Sequence, residues 1–67
     1  MRQTDTGALI AQLRKEQGLT QKQLAEQLHI SDRTISKWER GAGFPDVSLL
    51  EPLADVLHCS VVSLLEG

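Results

Sequence analysis

Three cations in one short stretch are spaced as a single helical face. Arg33, Lys37 and Arg40 follow an i, i+4, i+7 pattern, and Asp32 and Ser36 fall on the same side. Ile35 and Trp38 share the opposite, apolar face. Guanidinium and ammonium groups beside a hydroxyl and a carboxylate can hydrogen-bond to the edges of DNA bases and to phosphates. Arg or Lys pairs with guanine O6 and N7, and a carboxylate accepts from cytosine N4. The plainer reading of Arg33 and Lys37 is a solvated helix face. Asp32 can equally serve as a favourable first-turn charge on the helix dipole.

Other chemistries find less support. His29, His58 and Cys59 are metal-ligating types, but His58 and Cys59 are adjacent and His29 is far off. No Cys-x-x-Cys or His-x₃-His spacing exists, so no metal is expected. No Ser/His/Asp order, phosphate-binding loop or paired acid site stands out, and no catalytic residue or cofactor is expected. A short helical chain also offers no deep cleft. A single cysteine excludes an internal disulfide and suits a reducing cytosol. With no apolar run of membrane-spanning length and no signal peptide, a cytoplasmic protein is expected.

The elements that must carry the cationic stripe are marked by helix-start signals. Thr20 is an N-cap candidate, and Gln23 three residues on completes a capping box. Leu19 and Leu24 then form a hydrophobic staple. Ser31, flanked by Ile30 and Ile35, repeats the arrangement. Two starts about eleven residues apart leave the first helix only about two turns before the chain reverses. His29 falls at the reversal, where a positive φ is expected, and Gly41 ends the second helix. Leu24, Ala25 and Leu28 share one face, and the small Ala25 lets the two helices approach closely. Two short helices joined by a tight turn, the second polar on its outer side, can lay a helix in the major groove of DNA.

The rest of the chain reads as supporting helices. Met1 to Thr4 is expected to fray. Thr4 or Thr6 can cap a first helix that runs to about Gln17, with Leu9, Ile10, Leu13 and Gln17 on its inner side. Gly7 should weaken its first turn by about 1 kcal/mol relative to Ala. The loop Gly41–Pro45 is expected to fold Phe44 onto the core. Asp46 or Ser48 starts a fourth helix to about Leu57, with Pro52 tolerable near its first turn or at a kink. Ser60 caps a short fifth helix carrying Val61, Leu64 and Leu65. No repeat or linker is evident. The expectation is an all-α, compact five-helix bundle forming one domain over residues 1–67. Its apolar last helix suggests a unit cut from a longer protein, or a helix that meets a partner.

Charge is unevenly spread. Residues 1–41 hold all seven Lys and Arg against five Asp and Glu, a balance of +2. Residues 42–67 hold four acids and no Lys or Arg, a balance of −4, and the chain as a whole carries −2. Long-range attraction to DNA should be weak, so affinity must come from local contacts and from dimer avidity.

The order Leu13-Arg14, Gly18-Leu19-Thr20-Gln21, Leu24-Ala25, Ile30-Ser31, Ile35-Ser36, Trp38-Glu39 and Gly41 resembles the phage repressor/Cro-type (XRE-like) helix-turn-helix regulators. Pro45, Leu49, Leu53-Ala54, Leu57 and Leu64-Leu65 extend the resemblance over nearly the whole chain. It implies sequence-specific DNA binding in transcriptional regulation. The recognition helix would run from about Asp32 to Arg40, with base-reading residues at Asp32, Arg33, Ser36 and Lys37. Gln21 would hold a phosphate, with Lys22 adding charge nearby. Arg40 and the backbone amides from Gly41 to Phe44 would meet the opposite phosphate. Arg14 and Glu39 resemble the pair that ties helix 1 to the end of helix 3. The family also implies a homodimer on a pseudo-palindromic operator in double-stranded DNA. His29 departs from the Gly or Asn commoner at the turn. The competing reading is a protein-interaction module on the same bundle that no longer reads DNA.

Overall fold

A computed structural model describes residues 2–67. Five helices follow one another: α1 Gln3–Glu16, α2 Gln21–Leu28, α3 Asp32–Glu39, α4 Val47–Leu57 and α5 Val61–Glu66. Among the described residues no strand forms, and no helix is long and apolar enough to cross a membrane.

Helix starts follow local signals from α2 onward. Thr20 and Gln23 close a reciprocal capping box, in which Gln23 N donates to Thr20 Oγ1 at 3.0 Å and Thr20 N to Gln23 Oε1 at 2.8 Å. Ser31 Oγ accepts from Thr34 N at the start of α3, and Ser60 Oγ from Ser63 N at the start of α5. For α4 the cap is Asp46, whose carboxylate accepts from both the amide and the hydroxyl of Ser48. Those bonds hold its pKa below the usual carboxylate value.

The start of α1 breaks this pattern. The helix begins at Gln3 behind Arg2, with no side-chain cap. Neither Thr4 nor Thr6 is therefore the cap; Gln3 and Thr4 have helical backbone, and Met1 lies outside the described residues. Thr6 is buried inside the helix and donates its hydroxyl to the Leu64 carbonyl at 2.8 Å, joining α1 to α5. A buried hydroxyl needs such a partner, because leaving it unpaired costs about 1–3 kcal/mol.

Each of the first four helices closes on a left-handed residue: Gly18, His29, Gly41 and His58. The two amides at each end fold back onto the last turn, as Ala42 N does to Lys37 O and Gly41 N to Trp38 O after α3. His29, at φ 58°, takes the expected conformation; His58, at φ 59°, repeats it. The repetition has a sequence basis that a reading without repeats misses. Residues 24–31 and 53–60 share Leu, Ala, an acid, one variable residue, Leu, His, an apolar residue and Ser. The α2–α3 corner and the α4–α5 corner thus use the same local instructions.

Ile10, Leu24, Ala25, Leu28, Ile35, Trp38, Leu53, Ala54, Leu57 and Leu64 form the core. The inner face of α1 is centred on Thr6, Gly7, Ile10 and Arg14, with Leu9 and Leu13 flanking it; Gln17 is exposed. In the α3–α4 loop it is Pro45 that is buried. Phe44 stays half-exposed, outside the apolar set packed on the core, because the tight turn after Gly41 brings Pro45 inward first.

Pro52 is the sixth residue of α4, beyond the first turn where proline is cheap, yet the helix continues through it. Pro52 and Ser48 both face solvent, so water can satisfy the Ser48 carbonyl that a proline cannot. Interior proline still costs about 3 kcal/mol relative to Ala, offset by about 1 kcal/mol for a stiffer unfolded chain. Pro52→Ala is therefore expected to stabilise the fold by about 2 kcal/mol in urea unfolding. An unchanged or lowered midpoint would show that the ring makes a contact worth keeping.

Candidate nucleic-acid interface

The α3 helix is amphipathic in the manner a groove-reading helix requires. Ile35 and Trp38 are buried, while Asp32, Arg33, Lys37 and Arg40 are exposed and Ser36 is half-buried at the margin. The helix ends at Glu39, one residue before the expected limit, and Arg40 is its C-cap. Arg40 turns back along the helix, donating from Nε to the Ser36 carbonyl at 3.2 Å. Among the described residues Arg33 and Lys37 have no carboxylate within ion-pairing distance. Core packing gives no reason for those two charges to share one stripe.

The far end of α3 is held from two sides. Arg14 grips Glu39 through two parallel bonds, Nε to Oε2 at 2.6 Å and Nη2 to Oε1 at 3.1 Å. Its Nη1 donates to the Leu19 carbonyl at 2.7 Å, just before the α2 cap. Only 11% of the Arg14 side chain and 8% of the Glu39 side chain remain exposed. This is a buried pair, for which partner loss is costly, and not a solvated contact. Next to it Gly7 of α1 lies directly against the last carbonyls of α3. A Cβ there would stand 2.1 Å from Trp38 O and 3.1 Å from Glu39 O.

Gln21, the first residue of α2, joins the same cluster. Its Nε2 donates to Glu39 Oε1 at 2.9 Å, and the residue is half-buried. A solvated first-turn amide would not be held so; neither this link nor the Gly7 contact has a local signal in the sequence. Lys22 beside it is exposed, and Gly41 at the end of α3 is half-buried. Arg33 and Lys37 therefore share α3 as expected, with Arg40 just past its end as the C-cap, and Gln21, Arg14 and Glu39 meet at the opposite end from the turn. His29 and His58 each end a separate helix, and the described residues bring no three His, Cys, Asp or Glu side chains together as a metal site. Partial burial raises the Cys59 thiol pKa above its usual value.

Comparison with known proteins places this geometry. A helix-turn-helix family model matches residues 10–64. The transcriptional activator BcrR of Enterococcus faecalis is 43% identical over 58 residues, covering 87% of this chain and 28% of BcrR. The competence pilus inhibition repressor of Acinetobacter baylyi is 44% identical over 57 residues, covering 85% of this chain and 52% of the repressor. The chain thus spans about a quarter to a half of the length of these two relatives. Among solved structures, the clp gene regulator ClgR from C. glutamicum superposes with a TM-score of 0.84 at 30% identity, covering 96% of this chain and 82% of that one. With four-fifths of its length matched and a five-helix fold, the chain belongs to the helix-turn-helix family of the Cro/C1 (XRE-like) type.

Proposed function

We propose that this chain is the DNA-reading domain of a sequence-specific transcriptional regulator, acting as a binding module in the cytoplasm and not as an enzyme. The observation that carries the reading is the exposed, unpaired Arg33 and Lys37 on an α3 whose other face and far end are both fixed. A helix held this way can offer side chains to base edges at little further ordering cost. Asp32, Arg33, Ser36 and Lys37 read bases; Gln21, Lys22, Arg40 and the Gly41 amide hold phosphates. Two copies meet a pseudo-palindromic operator in half-sites about one helical turn apart. The exposed Val62 of α5 supports a contact between copies. The length of the matched relatives supports a longer parent protein in which further domains supply signal or activation.

Selection from random duplexes tests this directly. The parent should enrich a two-fold motif. Arg33→Ala and Lys37→Ala should each cost about 1–3 kcal/mol on that motif and flatten one position. Arg40→Ala should weaken all sequences alike, leave the motif intact and reduce the salt slope by about 1. Failure of the parent to bind any duplex at low salt would leave a protein-interaction module as the better reading. A motif rewritten by Arg40→Ala would reverse the roles.

A further inference from the structure

We infer that Gln21 is a positioning residue for α3: through Glu39 it sets the tilt of the recognition helix, and so contributes to base discrimination as well as to phosphate binding. The inference rests on the DNA-reading function proposed above and assigns Gln21 a second task within it.

The argument begins with the donor. An ionised carboxylate only accepts hydrogen bonds, so the Gln21 side chain must turn its NH₂, not its oxygen, toward Glu39. That fixes the amide orientation on chemical grounds. The 2.9 Å bond then links the first residue of α2 to the last residue of α3. At the other end, α2 and α3 are joined by the His29–Ile30–Ser31 corner. The two helices are therefore tied both at their corner and across their open ends.

A helix tied at both ends has a defined axis, and removing one of the ties at its far end loosens that end, so that it can tilt about the corner. With eight residues, α3 is about 12 Å long. Arg33 lies about 3 Å along the axis from Ser31, and Lys37 about 9 Å, at 1.5 Å per residue. A tilt about the corner thus displaces Lys37 roughly three times as far as Arg33. Loss of Gln21 should disturb the bases read by Lys37 and largely spare those read by Arg33. The fold should survive, because Glu39 keeps both bonds from Arg14.

The test is a pair of double-mutant cycles on DNA affinity, Gln21→Ala with Lys37→Ala and Gln21→Ala with Arg33→Ala. Each variant is measured on the selected motif and on a scrambled duplex. Gln21→Ala alone should weaken binding to both, and to the motif several-fold more. The cycle with Lys37 should show a coupling of at least fivefold, and the cycle with Arg33 less than twofold. Gln21→Met, which keeps the length but has no donor, should behave like Gln21→Ala. Equal weakening on both duplexes with additive cycles would overturn the inference and leave Gln21 as an ordinary phosphate contact. No effect of Gln21→Ala on either duplex would overturn both tasks assigned to Gln21 while the helix reading stands. Failure of the parent to discriminate between the duplexes would overturn the DNA-reading function itself.

Discussion

Gly7→Ala should destabilise this protein by about 2–4 kcal/mol, although Ala is the better helix former by about 1 kcal/mol. On propensity alone Gly7 is a weak point, and replacing it should help. The fold reverses the sign. The added methyl would lie 2.1 Å from the Trp38 carbonyl oxygen, and that oxygen belongs to the backbone of α3, not to a flexible side chain. Relief requires α1 and α3 to separate, which opens the contacts of Ile10 with the core. In a domain this small the loss corresponds to a fall of roughly 10–25 °C in the thermal midpoint. Gly18→Ala is the control. Gly18 also resists substitution, at φ 71°, but nothing lies within 4 Å of the added methyl. It should lose only about 1–2 kcal/mol, the cost of a left-handed residue. Thermal unfolding of the two variants decides the matter. A Gly7→Ala protein as stable as the parent, or more so, would mean that α1 does not press on α3 as described.

Arg14→Met should cost a further large amount, about 3–5 kcal/mol. The change leaves the Glu39 carboxylate with only 8% of its side chain exposed and with Gln21 as its remaining partner. It also strips the Leu19 carbonyl of its guanidinium donor. Glu39→Met should be comparably harmful, since it strands the guanidinium. The double variant Arg14→Met/Glu39→Met should lose much less than the sum, because an apolar pair of similar volume has no uncompensated charge. Urea unfolding of all four proteins measures the coupling directly. Single variants each within 1 kcal/mol of the parent would reduce the pair to a surface contact. DNA selection with a surviving Arg14→Met protein should then return the parental motif, because Gln21 still holds Glu39.

Legibility in the sequence followed the range of the interaction. The limits of α2 and α3 were readable because both starts carry caps that act over three residues, Thr20 with Gln23 and Ser31 with Thr34, and because Gly41 closes α3. The outward stripe was readable from period alone. What failed was long-range. Thr6 looked like a cap because a hydroxyl near a helix start usually is one; its partner is the Leu64 carbonyl, 58 residues away. Gly7 looked like a cost because propensity sees only its own helix. Gln21 could be placed at a helix start, but its bond to Glu39 exists only once α1, α2 and α3 have closed together. His58 is a different case. Its left-handed turn could have been found by aligning residues 53–60 with residues 24–31.

The hydroxyl clasp from Thr6 to Leu64 has a mechanical meaning as well. Gly67 reaches the same place, since a Cβ on it would touch Asp5. Tension applied between the two ends of this unit would be carried across the short seam of α1 against α5. The α2–α3 corner takes no part in that clasp. A pull transmitted through the ends would load the seam first.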